Sequence, residues 1–186
     1  MLSVNDPIDW NPRRVTVAGA TGAGKTTLAN RIAQRLDLPR VEIDSLYHGP
    51  AWQPRPTFVA DVEAFIAGPE WVIEWQYRLV RERIAARADT LVWLDLPTFV
   101  TLSQLTRRTV RRRLRKQELW NGNVEAPLHT VFTDPEHIIR WGIRTRNALR
   151  DLVPTLRTMH PHLRVVRLRS HAEANQWLGE LGTLVR

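Results

Sequence analysis

Short apolar runs alternate with longer stretches of helical spacing along the chain. Val15-Thr16-Val17-Ala18 is a β-branched run suited to a buried strand, and Leu28, Ile32 and Leu36 follow at the spacing of one helix face. Residues 14–18, 40–44, 71–74, 90–95 and 163–168 read as five strands. The run 90–94 is apolar almost without alternation, as expected of a strand covered on both faces. Between the strands, residues 58–67 repeat apolar positions at 58, 59, 62, 65 and 66, and a further helix is predicted from strand three to about Arg87. Pro97 is placed to open a helix running to about Leu114. Asp134-Pro135-Glu136 has the chemistry of a helix start, predicting a long helix toward Pro154, and Ser170 would cap a last helix over 172–181. Residues 1–12 read as an irregular lead-in. Five strands alternating with helices predict an α/β fold, with a five-stranded parallel sheet flanked by helices. At 186 residues, without internal repeats, the chain is expected to form a single domain.

The first strand and helix are joined by Gly19-Ala20-Thr21-Gly22-Ala23-Gly24-Lys25-Thr26, with Thr27 behind it. Strand, glycine-rich turn, helix is the context in which G-x-x-x-x-G-K-[ST] binds phosphate. Glycines let successive backbone N–H groups turn inward, and the following helix contributes the positive end of its dipole. Lys25 is expected to reach the β- and γ-phosphates of ATP, and Thr26 to ligate Mg²⁺ through its hydroxyl.

In a parallel α/β sheet, ligands gather beyond the C-terminal strand ends, where Gly19, Asp44, Glu74 and Asp95 all fall. Asp95 and Glu74 are expected in the metal shell beside Thr26. Asp44 faces a loop holding Tyr47, His48 and Arg55, which suits a carboxylate that orients and deprotonates an acceptor hydroxyl.

Charge adds a second feature. The net +8 is uneven: residues 1–100 carry 11 basic and 12 acidic side chains, whereas residues 101–186 carry 16 and 7. Arg107, Arg108, Arg111, Arg112, Arg113, Arg115 and Lys116 stand together with no acid among them. On a helix Arg108, Arg111, Arg112 and Arg115 share a face, and Arg140 and Arg144 sit one turn apart. Such clustering is repulsive until an anion neutralises it, and arginine forks suit the charge of a migrating phosphoryl group. Glu118 and Glu125 are available as partners when no nucleotide is present. Cysteine is absent, which excludes disulfides, zinc-thiolate sites and a thiol nucleophile. No apolar run approaches the roughly 20 residues of a membrane span. The first twelve residues carry Asp6 and Asp9 and no base, unlike a signal peptide, so a cytoplasmic enzyme is expected.

The order of these parts resembles the nucleoside monophosphate kinase branch of P-loop proteins, of which adenylate kinase is the best-known member. Ile43-Asp44-Ser45-Leu46-Tyr47-His48, Trp71 to Tyr77 and Leu94-Asp95-Leu96-Pro97 resemble more closely the adenylate kinase-related proteins labelled FlaR or DNA topology modulation proteins. The resemblance implies an acceptor-binding insert at about 44–67 and an arginine-bearing lid at about 111–133. It implies that Arg111 and Arg112, with Arg144, act on the transferred phosphoryl group while Arg108 and Arg115 contact ATP. It places Tyr47, Arg55, Glu74, Arg78 and Arg140 on the acceptor side, with Arg78 in the place of the acceptor-side arginine of adenylate kinases. Glu74-Trp75-Gln76 lacks the glycine of that segment, and a hydroxyl acceptor addressed by Asp44, as in shikimate or gluconate kinases, stays open beside a nucleotide or nucleoside.

The expected function is an ATP- and Mg²⁺-dependent kinase for a small acceptor. The alternative is a nucleic-acid-binding P-loop ATPase or regulator that grips a phosphate backbone with residues 107–116.

Overall fold

The computed structural model describes residues 1–181. In chain order it runs β1 (Arg14–Gly19), α1 (Lys25–Leu36), α2 (Ile43–Tyr47), α3 (Phe58–Ile66), β2 (Trp71–Glu74), α4 (Arg78–Arg87), β3 (Thr90–Leu94), α5 (Thr98–Leu114), α6 (Ile138–Thr145), α7 (Ala148–Met159), β4 (Arg164–Leu168) and α8 (His171–Leu181). Short 3-10 turns occupy Pro50–Trp52, Trp120–Gly122 and Leu128–Val131.

The strands pair in the order β2-β1-β3-β4, all parallel. Successive side chains on each strand point to opposite faces. Val15, Val17, Val72, Val92 and Val166 therefore pack with Leu28 and Ile32 of α1 and Trp177 of α8. On the other face Ile73, Leu91, Trp93 and Val165 pack with Val62 of α3, Ile84 of α4 and Val153 of α7. Both faces are covered, so β2 and β3 are buried at every residue.

Residues 40–44 are not the expected fifth strand, so the sheet has four. Arg40 makes a single parallel bridge to Val72. Two residues later the Ile43 N–H donates to Glu74 Oε2 at 3.0 Å. A carboxylate at that amide favours the first turn of a helix, and the chain enters α2 instead of continuing along β2. The lead-in makes the corresponding contact at the far edge, where Leu2 bridges Val166.

The long helix expected from Asp134 is also two helices. Asp134 Oδ1 accepts from the Glu136 N–H at 2.8 Å, forming a turn, and α6 begins only after His137, whose Nδ1 accepts from the Ile139 N–H. The break falls at Arg146 and Asn147, and α7 runs through Pro154 to Met159. Ser170 caps α8 as expected, its Oγ accepting from the Glu173 N–H at 3.1 Å. Among the described residues no helix is long and apolar enough to cross a membrane.

Candidate active site

The turn after β1 has the backbone that its glycines allow. Gly22 has φ +87°, and a Cβ there would lie 2.4 Å from the Thr101 carbonyl oxygen and 2.8 Å from Leu105 Cβ. α5 thus packs directly onto the loop, and only glycine fits between them. One layer out, a Cβ on Gly142 would stand 2.5 Å from Leu105 Cδ2 and 3.9 Å from Thr21 Cβ, so α6 leans on the same ridge of α5.

Lys25 folds back over the loop, its ammonium donating to the carbonyls of Gly19 at 3.0 Å and Ala20 at 3.4 Å. Burial pushes its pKa down, the charges of Asp44 and Glu74 pull it up, and those of Arg108 and Arg81 push it down again. Thr26 and Thr27 are exposed at the start of α1.

Arg108 and Arg81 are therefore the cations that Lys25 feels. Thr101, Leu105 and Thr109 form the buried stripe of α5, and Arg108 flanks it. Burial, then Arg112, lowers the Arg108 pKa, against the pull of Glu125, Asp44 and Glu42. Its Nε is buried without a hydrogen-bond partner. Arg81, on the first turns of α4, lies 5.2 Å from the Trp75 ring centroid, and its Nε is likewise buried and unpaired. Leaving such donors unmet costs about 1–3 kcal/mol each, a cost that an anion at either group would relieve.

The expected arginine face of α5 is divided. Arg112 turns inward with Arg108 and pairs with Glu125 at 3.4 Å, while Arg113 donates to the Glu125 carbonyl at 3.2 Å. Arg111 and Arg115 are exposed. Arg140 and Arg144 do not converge on the loop. Arg140 donates to the Phe132 carbonyl, and Arg144 pairs with Glu136 at 3.0 Å over the Trp141 ring.

Both carboxylates expected around a metal are committed elsewhere. Glu74 is buried, paired with Arg40 at 3.0 Å, and accepts from Ile43 N–H with its other oxygen. Asp95 Oδ2 accepts from Arg167 Nε at 2.9 Å and from its Nη2, with Arg150 3.8 Å from Oδ1. Among the described residues no cluster of three or more His, Asp or Glu side chains could hold a metal ion.

Asp44 sits apart from these ion pairs. Its Oδ1 accepts from Gln76 Nε2 at 2.8 Å and from the Tyr77 hydroxyl at 2.6 Å. Tyr77 stacks on Tyr47 with ring centroids 4.0 Å apart. The other acceptor-side expectations fall outside this group: Arg55 pairs with Asp61 at 3.0 Å and Arg78 is exposed.

A clasp joins residues 48–52 to residues 120–123. The Asn123 amide is buried, its Nδ2 donating to the Gly49 carbonyl at 2.8 Å and its Oδ1 accepting from the Trp52 N–H at 2.9 Å. Asn121 Nδ2 donates to the His48 carbonyl at 2.5 Å, and Trp120 stacks on the His48 ring. Burial pushes the Glu42 pKa up, against the pull of the neighbouring Trp120 side chain. The segments expected to be insert and lid thus meet at His48, Gly49 and Trp52.

Gln76, Tyr77, Arg81, Glu42 and Asn123 have no site role in the reading of the sequence. Arg81 lies three positions after Arg78, one helical turn deeper, which is the only signal that would have found it.

No family model matches the chain, and no curated protein does. Solved structures do match. A gluconokinase from Sinorhizobium meliloti shares 19% identity over 93% of this chain and 93% of its own, with a TM-score of 0.53. A shikimate kinase from Acinetobacter baumannii, in complex with shikimate, shares 14% identity over 94% and 93%, with a TM-score of 0.56. The chain has the same fold as these two proteins.

Proposed function

We propose that the protein transfers the γ-phosphoryl group of ATP to a hydroxyl of a small acceptor bound against Asp44. One observation carries this reading: Lys25 of the phosphate-type loop feels the charges of Arg81 and Arg108, whose Nε atoms are unpaired, and the carboxylate acting on it without an arginine partner is Asp44. The activities of the gluconokinase and the shikimate kinase that share the fold support it. The segments at 43–48, 71–77 and 94–97 support a place in the FlaR-like branch of adenylate kinase-related proteins.

The loop amides and the start of α1 take the phosphates, and Lys25 exchanges the Gly19 carbonyl for a phosphate oxygen. Arg108 meets the charge spread over the migrating group. Asp44 takes the acceptor's hydroxyl proton, and Tyr77 and Gln76 fix its orientation. Thr26 would hold Mg²⁺ together with phosphate oxygens and water; when bound, the ion neutralises charge on the β- and γ-phosphates. Asp95 and Glu74, locked to arginines, are assigned instead to holding β4 and α2 in place. Such an enzyme would work in the cytoplasm.

Lys25→Ala tests the reading. Calorimetry should show ATP affinity falling at least about tenfold, or about 1.4 kcal/mol, with an unchanged fold. Equal affinity in the two proteins would remove the nucleotide from this loop.

The exposed Arg107, Arg111, Arg115 and Lys116 favour a second reading, a nucleic-acid backbone gripped by the outer side of α5. Trp120, the aromatic nearest to them in sequence, is turned into the clasp against His48, which weakens the case for base stacking.

A further inference from the structure

Asp44 ends a chain of three titratable groups. The Tyr77 hydroxyl that bonds Asp44 Oδ1 at 2.6 Å also lies 3.1 Å from His48 Nε2. A phenol has one proton: with Nε2 bare, Tyr77 stands between two acceptors and serves one at a time, whereas with a proton on Nε2 it would donate to Asp44 and accept from His48. The shorter distance, to the carboxylate, shows where the proton points while Asp44 is ionised. Tyr77 adopts φ +59°, a backbone conformation rare for a tyrosine. A strained residue held at the centre of a polar network is held there by its surroundings.

The surroundings of His48 suit a proton acceptor. The groups facing its ring are Asp44 and Tyr47 of α2, Trp52 of the following turn, Tyr77, and Trp120 of the clasp. Asp44 is the charged one among them. Burial lowers the His48 pKa, which keeps the ring neutral, while the charge of Asp44 and the backbone of Trp52 favour an added proton. Trp120 lies nearly parallel to the ring, with centroids 5.8 Å apart, and offers its π face to a cation. Nδ1 is buried and has no bonded partner. Burial and the Asp44 charge hold the Tyr77 pKa far above its ordinary value, so the phenol passes protons without ionising.

We propose that Asp44, Tyr77 and His48 form a proton relay that carries the proton of the acceptor hydroxyl from Asp44 to His48 Nε2. This rests on the reading of Asp44 as the base in phosphoryl transfer. As the acceptor oxygen bonds to the γ-phosphorus, the bond from that phosphorus to the bridging oxygen breaks and its electron pair leaves with ADP. The acceptor's O–H bond breaks with its pair kept on oxygen, and the proton goes to Asp44. Asp44 then gives a proton to Tyr77 Oη while Tyr77 gives its own to His48 Nε2. The products are an ionised Asp44, a neutral Tyr77 and an imidazolium at His48. The step requires a resting His48 that is neutral with its proton on Nδ1, leaving Nε2 bare. Tyr77 and His48 do not touch the acceptor and act through Asp44.

The requirement is read directly by NMR of the full chain carrying ¹⁵N-histidine, with no nucleotide or acceptor present. The expected result is a neutral His48 with its proton on Nδ1. Loss of the Asp44 charge moves the His48 titration with or without Tyr77, but at a pH where the ring is neutral Asp44→Asn should also shift the His48 Nε2 resonance, because Tyr77 then turns its hydroxyl toward the ring. In a Tyr77→Phe background most of that shift should be lost. A wild-type ring protonated on Nε2 overturns the relay, as does an Asp44→Asn shift of the same size with and without the Tyr77 hydroxyl. The wild-type tautomer decides even if a variant does not fold. Because the measurement uses no ATP, a failed Lys25→Ala result removes the phosphotransfer reading and leaves the NMR result standing by itself.

Discussion

α5, α6 and the segment between them form one arm, in which α6 leans on Leu105 of α5 and both helices carry arginines one turn apart. In α5 the pair Arg108 and Arg112 flanks the buried stripe of Thr101, Leu105 and Thr109, so both guanidinium groups are drawn inside. Arg108 arrives there with an unmet Nε and a field of Lys25, Asp44 and Glu42 around it. In α6 the buried position is Gly142, whose lack of a side chain brings the helix backbone against Leu105. Arg140 and Arg144 then project from the sides, and each is satisfied by the segment that leads into its own helix. The difference teaches that spacing says which arginines share a face, while the residue that packs says where the face points. It also separates two energetic situations. A half-buried guanidinium with an unmet Nε is held at a cost that a ligand relieves, whereas an exposed pair is near neutral in free energy.

The sharpest way to break this comparison is Arg108→Ala. Removing the inward guanidinium should lower the transfer rate by about 10³-fold or more, the scale at which an arginine acts on a phosphoryl group in flight. Stability should stay at or above wild type, because the lost group is desolvated and incompletely bonded. Steady-state turnover and a thermal melt check the two halves. A melt that falls sharply while turnover survives would make Arg108 a structural residue and erase the contrast with α6.

Asn123→Ala sharpens a different part of it, the clasp that joins the arm to residues 48–52. The buried amide donates to Gly49 and Trp120 carbonyls and accepts from Trp52. Its loss strands those partners, at about 1–3 kcal/mol for each buried group left unmet. Hydrogen exchange should rise together in residues 48–53 and 118–124, with a lower melting temperature. In the wild type an ATP analogue should protect residues 19–27 and about 111–133, since bound phosphate neutralises the inward cations and favours closure. Protection confined to the loop would leave the arm without a part in nucleotide binding.

How much of this was written in the chain differs from place to place. The loop was legible because its glycines, Lys25 and Thr26 are consecutive, and because the flanking run and helix spacing are local. The α/β class and most helices followed from the same local periodicity. Residues 40–44 misled because their composition suits a strand, while the group that bends them, the Glu74 carboxylate, lies 31 positions away. Asp95 has a distant partner of the same kind. A strand-terminal acid looks free for a metal until the register of β3 with β4 sets Arg167 opposite Trp93, beside it. Asp44 was placed on the acceptor side from its neighbours in sequence, but its bonds to Gln76 and Tyr77 depend on a turn with positive φ at a tyrosine, which no local pattern announces.

The smallest expected effect belongs to Arg144→Ala. Arg144 is exposed, paired with an exposed Glu136, and rests over Trp141. An exposed pair of this kind contributes about 0–1 kcal/mol, so the melting temperature should scarcely move. Because Arg144 faces its own lead-in turn, the transfer rate should stay within about tenfold of wild type, or about 1.4 kcal/mol of barrier. The measurement also probes motion. The Glu136 pair is weak enough that a triphosphate would outcompete it if α6 rolled inward on Leu105 during turnover. A loss of about a hundredfold or more, with the melt unchanged, would mean that α6 makes this movement. Arg144 would then join Arg108 at the phosphates in the working state, and the two helices would differ in timing and not in role. A rate close to wild type keeps α6 as the outer support of α5.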